Sequence, residues 1–389
     1  MDRQTEQTEK KEKKPLWKRI LKVAAVILIV IAVLIAGLAA FLFGVFSHYY
    51  GKMNYVPLES TDEIIYTIPD ETDFPDTDAI VTTDSPVTSG APITGDIPDT
   101  GGQTVTTAPI TSAKPKTTAE SPYVPPKSDV IEFGSHIKNI LLIGTDVASI
   151  TARGRSDSMI LVSINEKTGQ IVMTSFMRDI YLHIPVINTY NRINASYASG
   201  GVSLLVKTIE ENFKIKIDQY MRINFEGFSN VVDYMGGIDV TLTQGEIDYL
   251  GLPSDTVPGV VHLNGKQAII YCRCRYVSKD GEAGDFARTR RQRETMSLLF
   301  EKLKGMSIAE IDGILEEFLP QVVTNIEKSE MLAMLAKAPT YLGYELKSYR
   351  IPVDGSWKYA TVRKMSVLRV DFDKNIDALE KIINGNYDG

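Results

Sequence analysis

The sequence has little cysteine and little histidine: two cysteines and four histidines among 389 residues. The cysteines, Cys272 and Cys274, are separated by one residue, which is too close for an easy, unstrained disulfide. Two thiols are also too few for a zinc site unless distant His or Asp residues complete it. We therefore predict no disulfide framework and interpret both thiols as small, buried packing residues.

Two classes of function lack support in the sequence. His183 and His262 have no motif neighbours that would complete a Ser-His-Asp arrangement, and the glycine pairs match no nucleotide-binding fingerprint. A formal charge of −7 argues against general binding of nucleic acid. A local cluster of cations in this acidic chain is therefore expected to have a specific ligand.

Charge is absent from Val23 to Phe46. At 1.5 Å per residue, a helix of this length crosses a hydrocarbon core of about 30 Å. The preceding residues are rich in lysine, and such a basic flank stays in the cytoplasm. We predict a cytoplasmic tail over 1–22 and a transmembrane signal anchor over 23–47. This arrangement predicts a single-pass membrane protein with the remaining chain outside the cell.

Long apolar runs are also missing after the predicted anchor. Thr, Pro, Asp, Ser and Gly dominate there, and such a segment cannot bury enough apolar area to offset its chain entropy. We predict a disordered stalk over 48–129 and one extracellular folded domain over 130–389.

The folded part alternates strand and helix patterns, which predicts an α/β domain: a mixed sheet with helices on its faces. The segments IKNILLIGTD, SDSMILVSIN and QIVMTSFM are typical of three strands, and a turn at 167–169 joins the last two in a hairpin. Asn264 with Gln267 predicts the start of a short helix. Asp285 is expected to cap a longer helix that Gly305 ends.

Charged residues stand where these three strands begin or end. Asp146 ends the first strand, Arg155 and Asp157 precede the second, and Arg178 and Asp179 end the third. Because a hairpin brings the end of one strand beside the start of the next, we expect these groups to converge at one edge of the sheet. Asp146 and Asp157 could hold Mg²⁺ that shares its other positions with phosphate oxygens and water. For each aspartate alone, a turn or cap remains the alternative, and for Arg178 and Asp179 a local ion pair.

Six arginines fall within Tyr271 to Glu294. Guanidinium groups at this density repel one another unless an anion lies between them, and their planar fork suits phosphate oxygens. Arg288 and Gln292 share a helical face, and free N–H groups at a helix start also favour an anion. With Arg273 and Arg275 they could bind a diphosphate; a solvated basic helix face is the alternative.

Several segments in order resemble the LytR-CpsA-Psr family of bacterial cell-envelope assembly. They cover essentially all of residues 136–300 and are LLIGTD, GRSDSMILVSIN, SFMRDIYLHIP, RINASYASGG, GFSNVVDYMGGIDV, LNGKQAIIYCRCRY and GDFARTRRQ. The chain departs from the family pattern at Met177, where proline is common, and at Cys272 and Cys274.

The resemblance implies an enzyme that moves a glycopolymer from a polyprenyl-pyrophosphate carrier in the membrane to peptidoglycan. The acceptor would be the 6-hydroxyl of N-acetylmuramic acid, the product a phosphodiester, and polyprenyl phosphate would be released. Family members hold the lipid in an apolar tunnel, with its pyrophosphate beside arginines and magnesium.

The family's functional residues carry over by motif. Asp146 and Asp157 match the metal-associated aspartates. Asp157, Arg178 and Asp179 are the catalytic candidates, and either Asp157 or Asp179 could take the sugar hydroxyl's proton. The residues matched to pyrophosphate binding are Arg155, Arg273, Arg275, Arg288 and Gln292.

The other arginines of the stretch have no role in the pattern: Arg290, Arg291 and Arg293 are expected on an exposed helix face. Arg288, at a helix start, is expected to contribute little to the core. Two alternatives to transfer stay open: a pyrophosphatase with water as acceptor, and a non-catalytic lipid-binding regulator of the envelope.

Overall fold

The computed structural model describes residues 44, 47–48, 50–59, 66–67, 123–146 and 154–387. The predicted cytoplasmic tail, nearly all of the predicted anchor and most of the predicted stalk lie outside these residues. No helix in the described part of the chain is both long and apolar enough to cross a bilayer.

The elements are, in chain order, β1 (Asn54–Tyr55), β2 (Ile137–Thr145), β3 (Ser156–Asn165), β4 (Gln170–Phe176), β5 (Tyr181–Ile184), β6 (Thr189–Arg192), α1 (Ile193–Phe213), β7 (Gln219–Asn224), α2 (Phe225–Tyr234), β8 (Ile238–Leu242), α3 (Gln244–Leu250), β9 (Gly259–Leu263), α4 (Gly265–Arg273), α5 (Asp285–Lys304), α6 (Ile308–Phe318), β10 (Val323–Thr324), α7 (Lys328–Leu342), β11 (Glu345–Ile351), β12 (Trp357–Val362), β13 (Met365–Val370) and α8 (Phe372–Asn384).

A seven-stranded mixed sheet forms the centre of the fold, in the order β1-β10-β7-β2-β3-β4-β11. Strands β2, β3 and β4 pair antiparallel as successive neighbours, while β7 and β11 pair parallel to β2 and β4. The three strands and the hairpin turn predicted from the sequence are therefore confirmed. Gly169 makes that turn with φ 65°, a conformation that glycine adopts without steric cost.

Helices cover both faces of the sheet, because successive side chains of a buried strand point to opposite faces. Leu141 and Ile143 pack with α1 and α8 in the largest core. Ile140 and Leu142 pack on the other face against residues of α5 and α7. The predicted α/β fold with a mixed sheet and helices on its faces is confirmed.

A smaller core joins α2, α4 and α5 to the β8–β9 hairpin. Two glycines with positive φ, Gly236 and Gly237, turn the chain from α2 into β8. Asn264 and Gln267 form the predicted capping box of α4. This core sets the end of α4 and the start of α5, which border the arginine-rich stretch.

The prediction of a disordered stalk is wrong at both ends of that segment, where the chain belongs to the folded domain. Asn54 and Tyr55 form β1, parallel to β10 at the edge of the central sheet. The Tyr220 hydroxyl donates a 2.7 Å hydrogen bond to the carbonyl oxygen of Val56. Tyr123 packs against the ring of Phe372, with ring centroids 5.4 Å apart. A two-residue strand has no alternation that a sequence pattern could reveal.

The predicted cap of α5 is also corrected. The N-cap is Gly284, with φ 62°, and Asp285 is the first residue of the helix. Because glycine has no side chain, it satisfies none of the first-turn N–H groups of α5. Gly305 follows the helix, as predicted.

Candidate active site

Strand ends meet at one edge of the central sheet, as the sequence predicts. The register pairs Thr145 of β2 with Ser156 of β3 beside a bulge. The backbone N–H of Arg155 donates to Oδ1 of Asp146 at 3.1 Å. Arg178, just beyond β4, contacts the Asp157 carboxylate at 3.3 Å. Residues that are distant in sequence are thus brought together by two hairpin junctions.

Arg178 is the centre of a larger charge cluster that includes the start of α5. Its Nε lies 3.7 Å from Oδ1 of Asp179 and 3.6 Å from Oδ1 of Asp285. Arg192, at the end of β6, donates to Asp179 at 3.2 Å. Arg288 contacts Asp285 at 2.5 Å. The local ion pair of Arg178 and Asp179 is therefore one contact within a network of three arginines and three aspartates.

Burial perturbs the ionisation of this network, because it removes water that would stabilise each charge. Burial and the neighbouring Asp285 carboxylate raise the pKa of Asp179 above its usual range, against the opposing effect of Arg178 and Arg192. Burial lowers the pKa of Arg288, and Asp285 opposes that shift. Asp179 is thus a carboxylate with enhanced affinity for a proton, which suits a general base.

Several polar atoms at the start of α5 are buried without a hydrogen-bond partner in the described part of the chain. They are Nε and Nη2 of Arg288, both carboxylate oxygens of Asp285 and Oε1 of Gln292. Asp285 is held by charge contacts that lack hydrogen-bond geometry. Nη2 of Arg288 and Oδ1 of Asp285 lie 2.5 Å apart and balance each other's charge. Because buried polar groups are nearly always satisfied, the remaining atoms, above all Nε of Arg288 and Oε1 of Gln292, mark a place for a polar ligand.

Arg273 and Arg275 occupy different positions relative to the cluster. Arg275 is half-buried, and its charge contributes to the lowered pKa of Arg288. Arg273 is exposed, and its guanidinium lies over the ring of Phe225, 5.2 Å from the centroid. The structure thus brings Arg275 near the cluster and sets Arg273 farther out.

Two of the arginines expected on an exposed face are buried, so that expectation is wrong for them. Arg291 has no exposed surface and Arg293 is 7% exposed. Arg293 donates to Oγ of Ser348 at 2.9 Å, and burial lowers its pKa to about 10. Arg290 is half-buried, with 42% of its side chain exposed, and contacts Asp280 at 2.9 Å.

Arg288 is 3% exposed, so the expectation that it contributes little to the core is also wrong. The α5 helix begins inside the charge cluster, which surrounds the guanidinium of Arg288 with protein.

Arg291 belongs to a second buried network, behind the segment 274–284. It donates to Glu246 at 2.9 Å and to the carbonyl oxygens of Cys274 and Val277 at 3.1 and 2.8 Å. Lys279 extends the network with a 2.6 Å hydrogen bond to the Tyr271 hydroxyl. This network holds the backbone on both sides of Arg275.

The cysteines are free and buried, which confirms their predicted packing role. Cys272 donates to Oγ1 of Thr295 at 3.2 Å, and burial raises the pKa of its thiol to about 12. At that pKa the thiol is neutral at physiological pH and unreactive as a nucleophile.

Four residues of the site have no role in the sequence prediction. Asp285 was interpreted as a helix cap, and Arg192 lies in a matched segment without a role. Arg222 of β7 is buried and donates to the Tyr197 hydroxyl at 3.0 Å. Burial is the main cause of the raised pKa of Tyr197, and the negative charge of Asp146 contributes to it. A charged residue within an apolar strand is the one signal that could have identified Arg222.

The donor atoms around Asp146 and Asp157 fit the implied magnesium ion only in part. Thr145 Oγ1 and Ser156 Oγ, paired in register beside them, are buried without hydrogen-bond partners among the described residues. All these donors are oxygen, which suits Mg²⁺. Within the same residues no group of three or more His, Cys, Asp or Glu is arranged to hold a metal. The residues fit an ion that is bound together with a phosphate ligand and water.

The amino-acid sequence of the chain is similar to that of known proteins. Residues 106–381 match the model of the LytR_cpsA_psr family. Biofilm regulatory protein A of Streptococcus mutans is 36% identical over 233 residues, which are 54% of this chain and 55% of that protein. The polyisoprenyl-teichoic acid–peptidoglycan teichoic acid transferase TagV of Bacillus subtilis is 33% identical over 220 residues, 54% of each protein. The chain thus matches about half the length of these curated relatives.

A solved structure supports the same fold. The crystal structure of a protein from Streptococcus agalactiae superposes with a TM-score of 0.54 at 30% sequence identity. The superposition covers 65% of this chain and 88% of that one. It agrees with the central mixed sheet and its flanking helices.

Proposed function

The chain belongs to the LytR-CpsA-Psr family, and on this basis we propose that it transfers a glycopolymer from a polyprenyl-pyrophosphate carrier to peptidoglycan. The name of TagV states a transfer of teichoic acid between a polyisoprenyl carrier and peptidoglycan. That name supports the same class of donor and acceptor for this chain.

The observation that carries the proposal is the set of unsatisfied, buried polar atoms at the start of α5. Nη2 of Arg288 pairs by charge with Asp285, but Nε of Arg288 and Oε1 of Gln292 are buried without a hydrogen-bond partner among the described residues. The glycine N-cap also leaves the first-turn N–H groups of α5 to other acceptors. Arginine donors and a helix N-terminus together bind phosphate oxygens. We assign the donor's diphosphate to Arg288, Arg275 and Gln292, with Arg155 and Arg273 at the border of this site.

The reaction joins the acceptor sugar to the phosphate that carries the glycopolymer. The acceptor's hydroxyl oxygen attacks that phosphorus, and the bond from phosphorus to the bridging oxygen breaks. The bridging oxygen keeps the electron pair and leaves as polyprenyl phosphate, while the hydroxyl proton passes to a carboxylate. Arginines stabilise the charge that develops on the phosphate oxygens. Arg178 is the arginine we assign to this role.

Asp179 is the carboxylate that we assign as proton acceptor. The sequence left Asp157 and Asp179 as equal candidates. The raised pKa of Asp179 favours it, because a base with a pKa nearer the working pH transfers protons more efficiently. Asp157, held by Arg178 at 3.3 Å, then remains a metal ligand and an electrostatic partner of that arginine.

Asp146 and Asp157 are the residues we propose to hold Mg²⁺, whose positive charge neutralises phosphate oxygens when it is bound. We also retain the proposal of a single N-terminal anchor, a cytoplasmic N-terminus and a domain outside the cell membrane. The uncharged run from Val23 to Phe46, with its basic flank, supports that topology.

The decisive experiment supplies the full-length protein in detergent with Mg²⁺ and a polyprenyl-pyrophosphate-linked oligosaccharide. We expect release of polyprenyl phosphate only when peptidoglycan is added, together with oligosaccharide attached to the wall. Release of polyprenyl phosphate without peptidoglycan would instead identify a pyrophosphatase. Lipid binding without turnover, unchanged in Arg178→Ala, would identify a regulator.

A further inference from the structure

The β12–β13 hairpin borders the charge cluster through the backbone of Asp179. The N–H of Leu368 donates to the carbonyl oxygen of Asp179 at 2.8 Å, and Leu368 forms a parallel bridge with Ile180. Tyr359 is the cross-strand partner of Leu368 in the hairpin register. Backbone hydrogen bonds between strands lie in the plane of the sheet, so the edge of β13 joins the segment that carries Asp179, and Tyr359 lies one strand farther out on β12.

A row of aromatic rings runs from the start of α5 to the surface of this hairpin. The ring of Phe286, the residue after Asp285, lies 4.6 Å from that of Trp357. Trp357 contacts Tyr359 edge to face, with centroids 5.2 Å apart. The row ends in solvent, since Tyr359 is 65% exposed. Burial and the charges of Asp179 and Asp285 raise the pKa of Tyr359, so its hydroxyl stays neutral and lies within electrostatic range of both carboxylates.

The outer face of the same hairpin is basic, in a chain with net charge −7. Lys358 and Arg369 are exposed and lie directly opposite each other. Like charges at opposing positions of a strand pair destabilise it. Residues 357–370 contain two more cations, Arg363 and Lys364, and no acid. This charge pattern favours a partner that carries anionic groups.

We propose that Trp357 and Tyr359 form a platform for a sugar ring of the acceptor glycan, while Lys358 and Arg369, on the opposite face of the hairpin, attract the carboxylates of stem peptides on the same polymer. The inference rests on the proposed transfer function. The apolar face of a pyranose packs on an aromatic ring, while its hydroxyls remain free at the edge. An acceptor in this position presents a hydroxyl to Asp179, whereas the donor's diphosphate belongs to Arg275 and Arg288.

Peptidoglycan fits this surface better than the donor polymer does. Tyr359, at the outer end of the platform, belongs to the hairpin that is hydrogen-bonded to the backbone of Asp179, the proposed proton acceptor. A glycan strand with peptide carboxylates combines a ring face with spaced negative charge, and both features have a counterpart on the hairpin. The platform therefore determines specificity for the acceptor.

The test uses the full-length protein in detergent and separates acceptor from donor. In Tyr359→Ala we expect the KM for soluble peptidoglycan fragments to rise about tenfold, with the KM for the lipid-linked oligosaccharide unchanged. Tyr359→Phe keeps the ring and should behave as the parent protein. Tyr234→Ala is the matched control, because Tyr234 is also an exposed tyrosine and lies in α2, a helix that packs in the smaller core.

A second measurement needs no turnover: co-sedimentation of the protein with purified sacculi stripped of teichoic acid, without donor. We expect Tyr359→Ala and Lys358→Ala to weaken binding, and an amidase that removes stem peptides to abolish the difference made by Lys358→Ala only. Unchanged sedimentation and acceptor KM in Tyr359→Ala would overturn the platform, while transfer by the parent protein would still uphold the proposed function.

Two other outcomes are also decisive. A rise in the donor KM alone would assign the platform to the donor polymer and overturn the inference. If the parent protein transfers nothing, the proposed function fails. Weaker sedimentation of Tyr359→Ala would then still support a glycan-binding platform.

Discussion

Arg291 and Glu246 form an ion pair 2.9 Å long between side chains that are almost completely buried. Burial alone raises the pKa of Glu246, but hydrogen bonds from Thr243 and Arg291 reverse this and lower it. The guanidinium also binds two carbonyl oxygens of the segment that carries Arg275. The pair therefore joins α3 to α5 and fixes the backbone beside the proposed diphosphate site.

Loss of this pair should destabilise the domain severely. Removing one partner of a buried ion pair leaves an uncompensated charge and costs about 3–5 kcal/mol. We expect Arg291→Ala to lower the free energy of unfolding by that amount in urea denaturation. Arg290→Ala, one position earlier, removes an ion pair of a side chain that is 42% exposed and should change it by no more than about 1 kcal/mol. Equal midpoints for the two variants would show that Arg291 is not structurally required.

Loss of the Arg288 guanidinium should lower kcat in addition to weakening the binding of the lipid-linked donor. Removing one preorganised donor to developing charge typically costs about 10²–10³-fold in kcat. We expect Arg288→Ala to lose activity to that extent in the transfer assay, with weaker binding of the lipid-linked donor. Because Arg288 is buried, circular dichroism and thermal melting must show whether the Arg288→Ala variant still folds as the parent protein does.

A charge-matched variant separates the two effects at Arg288. Arg288→Lys keeps the positive charge beside Asp285 but loses the planar fork. We expect it to recover most of the lost stability and little of the activity. Full recovery of activity would contradict the assignment of Arg288 to the phosphate oxygens.

The pH dependence of transfer should report Asp179. Its folded-state pKa is raised, and the proposed base must be deprotonated, so kcat should rise with pH through that raised pKa. The midpoint should therefore lie above about 3.9, the usual value for aspartate. Asp179→Asn should abolish most activity and this limb of the profile.

The same pKa shift predicts a stability effect of definite sign. The folded state holds the Asp179 proton to a higher pH than the unfolded chain does. Asp179 then contributes stability below the unfolded pKa that is lost as pH rises through the folded pKa. Thermal melting against pH should show this loss in the parent protein and a flatter curve in Asp179→Asn. Parallel curves for the two proteins would show that a group other than Asp179 causes the pH dependence of stability.

Magnesium dependence should be sensitive to Asp146. We expect chelation with EDTA to stop transfer and Asp146→Asn to raise the Mg²⁺ concentration needed for half-maximal activity about tenfold or more. Binding of Mn²⁺ in the presence of pyrophosphate, followed by electron paramagnetic resonance, provides a readout that is independent of turnover. Asp239→Asn is the control, since Asp239 is exposed and pairs with His262. Equal Mn²⁺ affinity in the Asp146→Asn and Asp239→Asn variants would show that Asp146 is not a metal ligand.

Local patterns in the sequence predicted much of the fold. Strands β2, β3 and β4 have long apolar runs and a short glycine turn, so their pairing follows from neighbouring residues. Their ends then place Arg178 near Asp157 without any knowledge of distant contacts. The capping box at Asn264 is local as well.

Contacts between distant residues could not be predicted in this way. Glu246 is 45 residues from Arg291, and the arginine-rich helix alone gives no sign that this cation has a buried partner. Asp285 stands where a cap is expected, yet its carboxylate faces Arg178 and Arg288 because α5 docks on the strand ends. Tyr359 lies outside the matched motifs, and it is linked to the site only by contacts between distant residues: the bond between Leu368 and Asp179 and the ring contacts through Trp357 to Phe286.

The pairing of β1 with β10 changes how far the domain can travel from the membrane. With the proposed anchor ending at residue 47, the chain reaches the sheet edge at Asn54, a distance of about 25 Å at most even when fully extended. After β1 the chain still contacts the domain at Thr67, whose N–H donates to the carbonyl oxygen of Ser199 at 2.8 Å, and it contacts the domain again at Tyr123. The residues between Thr67 and Tyr123 therefore do not lengthen the connection between the proposed anchor and the domain.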